Sequence, residues 1–363
     1  MVKKIAIVGI QGVPAKYGGF ETLVENLLDE NCSDEIQYTV FCSSKSYTNR
    51  LDSYKGAFLK YMCVRANGKL SVLYDILSLI RVIRGYDVTL LLGVSGCIFL
   101  PIFRFFSKSK IIVNIDGIEY KRSKWNCLAK KFLQFSEYMA VKNSNIIIAD
   151  NEGIQNYVFE HYKKKTRLIA YGGDQVILTV PDDENRKILQ QCDIESNTYA
   201  ISICRIEPEN NCHIILESFA CNGQILVFVG NWNRSDYSRN LKKKYAIYKN
   251  IHLLNSIYDL KVLYVLRQNC KFYIHGHSAG GTNPSLVEAM FFGMPIFAFD
   301  VIYNKLTTEY QAHYFNTVGD LSELMNMDNY ELSQNAMAMK EIANRRYKWE
   351  DIIKLYEDLF REQ

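Results

Sequence analysis

His275-Gly276-His277-Ser278-Ala279-Gly280-Gly281-Thr282-Asn283-Pro284-Ser285-Leu286-Val287-Glu288 is the stretch that decides how this chain is read. The apolar run Phe272–Ile274 before it predicts a strand, and Pro284–Phe292 after it predicts a helix. Between them, Gly280, Gly281 and Thr282 form a turn able to present successive backbone N–H groups to an anion. Asn283 suits the N-cap of the helix and Pro284 its first turn. Glu288 then falls one turn in. Its carboxylate either accepts hydrogen bonds from ribose hydroxyls or is satisfied inside the protein, and in the apolar run Leu286 to Phe292 it needs a partner either way.

A second glycine-rich turn lies near the other end of the chain. Ile5-Ala6-Ile7-Val8-Gly9-Ile10-Gln11-Gly12 reads as a strand and turn, continuing to Tyr17-Gly18-Gly19-Phe20-Glu21 at the start of a helix. Gly18 and Gly19 allow the backbone to approach a phosphate, or simply make a tight turn. The spacing is not GxGxxG, and no acidic residue follows at the end of the second strand, which disfavours a dehydrogenase. A third group, Arg205-Ile206-Glu207-Pro208-Glu209-Asn210-Asn211, follows the predicted strand Tyr199–Cys204. An arginine at such a strand end points into the crevice where α/β sheets bind ligands, and its guanidinium suits a diphosphate. A surface salt bridge is the alternative.

Around these turns, short apolar runs alternate with helical patterns. Strands are predicted at Lys4–Gly9, Tyr38–Cys42, Val88–Leu92, Lys110–Asn114 and Asn145–Ala149, with helices at Gly19–Glu30, Leu70–Ile83 and Lys124–Lys142, and Arg167–Ala170 ends this first unit. The pattern restarts with strands at Tyr199–Cys204, Ile225–Val229, Ile251–Leu254, Phe272–Ile274 and Ile296–Ala298. Helices fall between these at Cys212–Ala220, Asp236–Tyr248, Tyr258–Asn269 and Pro284–Phe292. The alternation predicts two doubly wound α/β domains, residues 1–174 and 175–345, with a tail helix in 346–363 that packs back on the first.

With 363 residues, 48% of them hydrophobic, the chain can bury two cores. Residues 1–174 hold 24 Lys and Arg against 16 Asp and Glu, and the remainder holds 19 against 23. A basic first half suits an anionic membrane or a phosphorylated substrate, or is a solvated lysine-rich surface. The ten cysteines show no CxxC, and no leader is recognised, so they read as reduced thiols in a cytoplasmic protein. The six histidines form no HExxH or similar cluster, so no metal and no cofactor is expected. Nor is a nucleic-acid partner. Val88 to Phe103 is nearly uncharged but short for a membrane span, and reads as a strand, a loop and a short helix.

Taken in order, Gly-Gly-Phe-Glu, strand-Arg-x-x-Pro-Glu and loop-Pro-Ser-Leu-x-Glu-Ala-Met resemble the retaining glycosyltransferases of the GT-B fold, the large family four. More narrowly, Gly9 to Thr22, Asp116-Gly117-Ile118-Glu119-Tyr120-Lys121-Arg122-Ser123-Lys124-Trp125 and His275 to Met290 are similar to bacterial rhamnosyltransferases of capsule and O-antigen assembly. The resemblance implies two Rossmann-like domains with an interdomain cleft and a C-terminal helix crossing back to the first domain. It implies a nucleotide sugar held mainly by the second domain. Arg205 would neutralise the diphosphate, Gly280–Asn283 would cradle phosphate and sugar, Glu288 would bind the ribose, and Ile257 and Tyr258 would contact the base. Gly18 and Gly19 would approach the diphosphate from the first domain. Asp116 would orient the acceptor hydroxyl or stabilise oxocarbenium character, beside an acceptor region formed by Glu119, Lys121 and Arg122.

Two positions depart from the general family. Asn211 stands where a lysine is usual, leaving leaving-group stabilisation to Arg205 and backbone N–H groups. Gly280 stands where a carboxylate is usual, removing a hydroxyl-binding group expected for hexose donors. Both departures recur in the rhamnosyltransferase-like subgroup. The expected donor is dTDP-L-rhamnose and the expected acceptor a polyprenyl-diphosphate saccharide, reached by peripheral contact with the inner membrane face. Another UDP, GDP or dTDP deoxy or amino sugar is the alternative. Further alternatives are a GT-B nucleotide-sugar epimerase and a non-catalytic partner in polysaccharide assembly.

Overall fold

The structure is a computed structural model describing residues 2–16, 18–29, 35–115, 117–122 and 125–362. Two compact units emerge: residues 1–170 with 350–363, and residues 171–349. The first contains β1 (Lys3–Val8), α1 (Gly19–Asp29), β2 (Ile36–Ser43), β3 (Ser53–Tyr54), β4 (Ala57–Met62), α2 (Ser71–Arg81) and β5 (Val88–Leu92). It continues with α3 (Leu100–Phe106), β6 (Lys110–Ile115), α4 (Cys127–Asn143), β7 (Ile146–Ala149), α5 (Glu152–Tyr162) and β8 (Arg167–Leu168). In the second unit follow α6 (Asp182–Gln191), β9 (Tyr199–Ile203), α7 (Cys212–Asn222), β10 (Ile225–Val229), α8 (Asp236–Tyr245) and β11 (Ile251–Leu254). Then come α9 (Leu260–Gln268), β12 (Phe272–His275), α10 (Pro284–Met290), β13 (Ile296–Phe299), α11 (Ile302–Thr307), β14 (His313–Phe315), α12 (Val318–Leu324) and α13 (Asn329–Arg346). The last helix, α14 (Trp349–Arg361), belongs to the first unit from Glu350 onward.

The first sheet runs β3-β4-β2-β1-β5-β6-β7-β8, with every pair parallel except β3 with β4. All five residues of β5 are buried, as expected of a strand covered on both faces. The second sheet is wholly parallel, in the order β11-β10-β9-β12-β13-β14. Strand order therefore reverses between β1 and β5 in one unit and between β9 and β12 in the other. Ligands of open α/β sheets bind at such switch points, beyond the carboxyl ends of the strands. The glycine-rich turns and Arg205 follow β1, β12 and β9.

The first unit ends four residues before the expected boundary at 174. Tyr171 to Asp174 are held by the second unit, where Gly173 N–H donates to Tyr347 O at 2.9 Å and Trp349 N–H to Asp174 Oδ1 at 2.8 Å. The tail joins the first unit only from Glu350, rather than from 346. There α14 buries Ile352, Ile353, Tyr356, Leu359 and Phe360, the 3.6-residue spacing of one face. Asn114 Nδ2 donates to Tyr356 Oη at 2.8 Å. The helix leaves its last carbonyls open, and lysines close them: Lys3 Nζ donates to Phe360 O and Arg361 O, and Lys110 Nζ to Leu359 O and Glu362 O.

The turn after β5 rests on a buried acid. Ser95 Oγ donates to Asp75 Oδ2, and burial pushes the Asp75 carboxyl up to about 7, against the smaller downward effect of its hydrogen bonds to Ser95 and Gly96. The folded state thus binds this proton more tightly than the unfolded chain, whose carboxyl titrates near 4. The stabilisation is complete below about pH 4 and is lost as pH rises through about 7, on the order of 4 kcal/mol in all. Asp75→Asn should flatten this dependence and raise the thermal midpoint at pH 8. Parallel melting curves of variant and wild type from pH 5 to pH 8 would contradict it.

Among the described residues no helix is long and apolar enough to cross a membrane. Val88 to Phe103 forms β5, a turn and most of α3.

Candidate active site

At the switch point of the second sheet, the turns after β9 and β12 are tied together. Ser278 N and Oγ both donate to Glu209 O, at 2.9 and 2.8 Å. Asn211 Nδ2 donates to Gly276 O at 2.9 Å. Asn211 has φ +46°, a left-handed conformation that asparagine tolerates better than most residues. Its amide nitrogen therefore joins the two turns where a lysine would have offered a cation. His277 Nδ1 meets Asn210 Oδ1 at 2.5 Å, and Asn304 Nδ2 donates to His277 O at 2.9 Å. His275 below is buried, and burial, reinforced by His277, holds its pKa well below the ordinary histidine value, so the ring is neutral.

Arg205 follows β9 with its side chain 34% exposed and, among the described residues, a single ion pair, Nη1 to Glu207 Oε2 at 3.7 Å. It is neither fully buried nor locked by a close ion pair. Gly280 adopts φ +98°, and Gly281 and Thr282 are buried. Asn283 caps α10, its Oδ1 accepting from Ser285 N at 3.0 Å and Ser285 Oγ at 2.8 Å. The expected cap and Pro284 in the first turn are both present.

Glu288 is where the structure adds most. One oxygen pairs with Arg267 Nη2 at 2.5 Å, and the other accepts from Gln175 Nε2 at 3.0 Å. Trp349 Nε1 in turn donates to Gln175 Oε1 at 2.7 Å. Arg267 is 2% exposed and Glu288 17%. The partner that the apolar surroundings demand is thus intramolecular, and the carboxylate keeps an accessible edge. Arg267 escaped the sequence analysis. The available signal was a second cation, after Lys261, near the end of the otherwise apolar helix Leu260–Gln268, and burying it requires a carboxylate. Ile257 and Tyr258 lie in the loop before α9, half-buried and exposed respectively, and Asp259 caps that helix through Lys261 N and Val262 N. This cap starts α9 two residues later than expected.

In the first unit, the turn after β1 already holds carboxylates of its own. Gln11 N–H donates to Glu21 Oε1 at 2.9 Å, and Ala15 N–H to Glu25 Oε2 at 2.7 Å. Gly18 has φ +127°, and a Cβ there would stand 2.0 Å from Glu21 Oε2. Glycine is needed at 18 so that Glu21 can reach the turn. Gly19 opens α1. Asp116 lies outside the described residues. Of the expected acceptor group, Glu119 accepts from Trp125 Nε1 at 3.0 Å and pairs with Arg122 at 2.9 Å. Lys121 lies over the Tyr157 ring, 5.4 Å from its centroid. Tyr157 and Tyr162 both donate to Glu137 Oε1 at 2.6 Å, and burial raises the Glu137 pKa against these bonds. Among the described residues no group of His, Cys, Asp or Glu could hold a metal ion.

Residues 184–311 match the family Glycosyl transferases group 1, and residues 2–174 match the Domain of unknown function (DUF1972). No curated protein matches. Similar solved structures include sucrose-phosphate synthase from Thermosynechococcus elongatus, 15% identical over 99% of this chain and 98% of that one, with a TM-score of 0.83. Anabaena Alr3699/HepE in complex with UDP-glucose is 16% identical over 99% of both chains, TM-score 0.77. A glycosyltransferase from Rickettsia africae is 11% identical over 99% and 98%, TM-score 0.75. The chain has the GT-B fold of two Rossmann-like domains, and residues 184–311 of its second unit match the group 1 glycosyltransferase domain.

Proposed function

We propose that the chain transfers a deoxyhexose, L-rhamnose from dTDP-L-rhamnose, with retention onto a saccharide carried by a polyprenyl diphosphate in bacterial capsule or O-antigen assembly. The observation that carries the donor half is the switch point of the group 1 domain. Arg205, the Gly280–Asn283 turn and the accessible edge of Glu288 follow the ends of neighbouring strands β9 and β12. Arg205 takes the diphosphate and stabilises it as it leaves. Glu288, held from behind by Arg267, accepts from the ribose hydroxyls, and Ile257 and Tyr258 meet the base. Gly280 leaves no carboxylate for a sugar hydroxyl, which favours a deoxy sugar. No carboxylate pair is assigned as nucleophile and acid, so the leaving diphosphate takes the acceptor proton, and Asp116 orients the acceptor hydroxyl.

Anabaena Alr3699/HepE, solved with UDP-glucose, favours a second reading in which the donor is a UDP-hexose. Calorimetric titration with dTDP, UDP and GDP separates the two. dTDP should bind at least tenfold more tightly than UDP; tight UDP binding without dTDP binding would sink the rhamnosyl assignment.

The acceptor half rests on the surface of α3 and α4 in the first unit. Ile102, Phe105 and Phe106 on α3 are exposed, Phe105 by 83%, as are Leu128, Phe135 and Tyr138 on α4. Arg104 Nη1 donates to Asn143 O at 2.8 Å, joining the two helices, and Arg104, Lys108, Lys131 and Lys142 are exposed among the apolar groups. Exposed apolar side chains interleaved with cations suit an anionic lipid surface. Co-sedimentation with phosphatidylglycerol vesicles should be strong, and Phe105→Asp with Phe106→Asp should weaken it about tenfold without changing nucleotide affinity. Equal sedimentation of variant and wild type would contradict a membrane-facing role for α3 and α4.

A further inference from the structure

We propose that Arg234 is a second cation of the diphosphate site, sharing with Arg205 the charge of the bound nucleoside diphosphate. The proposal rests on the donor site described above. Arg234 lies in the turn after β10, the strand next to β9 in the sheet. A Cβ at Gly230 would stand 2.7 Å from Cys204 O and 2.5 Å from Ile206 Cδ1, so this turn lies directly against the one that carries Arg205.

The turn is fixed on both sides of Arg234. Buried Trp232 donates from Nε1 to Leu254 O at 2.8 Å and packs edge-on against Phe228. Ser235 caps α8, accepting from Ser238 N at 3.2 Å, and Arg239 Nη1 donates to Asn233 O at 3.0 Å. From this anchored position Arg234 Nη2 reaches Glu207 Oε1 at 3.6 Å, while Arg205 Nη1 stands 3.7 Å from the other oxygen of the same carboxylate. Arg234 is 48% exposed, and neither guanidinium has another side-chain ion pair among the described residues.

Two arginines thus face one carboxylate, each beyond the 2.7–2.9 Å of a tight charge-assisted hydrogen bond. Among the described residues the group carries an excess positive charge and holds a single anion loosely. A diphosphate brings more negative charge and more acceptor oxygens than Glu207, and is the better partner for two planar guanidinium groups. Glu207 holds both side chains near the site and gives way to the ligand. The cation that Asn211 does not supply comes from the neighbouring strand end.

The test is calorimetric titration of the full chain with UDP, dTDP and GDP and with the corresponding monophosphates. Arg234→Ala should raise the Kd of the preferred diphosphate about tenfold and reduce the preference for diphosphate over monophosphate, with the thermal midpoint unchanged. Arg234→Lys should recover part of the loss, and Glu207→Gln should tighten diphosphate binding. A wild-type Kd in Arg234→Ala, with binding lost in Arg205→Ala, would overturn the role of Arg234 and leave the donor site standing. Absence of nucleotide binding by the wild-type chain would overturn both.

Discussion

Arg205→Ala should lower kcat/KM for sugar transfer by about three orders of magnitude while leaving the melting temperature within a degree or two of wild type. The two effects separate because of where the side chain stands. Its one ion pair among the described residues, 3.7 Å to Glu207, is partly exposed, and pairs of that kind contribute about 0–1 kcal/mol to folding. In the proposed reaction, negative charge builds on the departing diphosphate, and losing a preorganised donor to such charge typically costs about 10²–10³ in kcat. Weaker donor binding adds to this. Arg205→Lys keeps a charge but not the planar fork, and should fall between the two. Near-normal turnover in Arg205→Ala would overturn the site assignment.

Arg267→Ala should have the opposite profile, with the main damage to stability. Arg267 is almost completely buried and its charge is balanced by Glu288 at 2.5 Å. Removing one partner of a buried pair typically costs about 3–5 kcal/mol because the other charge is left uncompensated. In a unit of this size that corresponds to a fall of about 10 °C or more in the melting transition. Nucleotide affinity should fall as well, since Glu288 loses the contact that aims it. Arg267→Met combined with Glu288→Gln removes both charges and should restore most of the stability without restoring nucleotide binding. A wild-type melting curve for Arg267→Ala would show that the pair does not hold this helix in place.

The architecture was legible wherever burial on both faces forces continuous apolar strands. Val88–Leu92 and Ile225–Val229 form strands with the bounds their sequence predicts. β3 and β4 were not foreseen. In Ala57–Met62 buried and exposed positions alternate, yet Phe58 is apolar on the exposed side, so the period-two signal is blurred. The short β14 and helices α11 to α13 also escaped, since their packing comes from distant partners such as Asn335 Oδ1, which accepts from Ile296 N. The same limit applies at the site. Turn chemistry at Asn283-Pro284 is local and was readable. The Arg267–Glu288 pair spans 21 residues, and the Arg205–Glu207–Arg234 group joins two adjacent strand ends. Sequence shows such side chains one at a time, and only strand order reveals that they meet. Asn211 illustrates the gain: it reads as a missing cation, and in the structure it is a left-handed residue tying two loops together.

The proposed reaction is transfer of a sugar from a nucleotide donor at the site around Arg205. The most direct measurement is a mass-shift assay of the full chain with dTDP-L-rhamnose, UDP-glucose and GDP-linked sugars, each offered with a polyprenyl-diphosphate monosaccharide. The expected result is addition of one deoxyhexose from dTDP-L-rhamnose, with the α-configuration or β-configuration of the donor retained and the product absent in Arg205→Ala. No mass shift with any donor, from a folded chain that also fails to bind the free nucleotides, would contradict it.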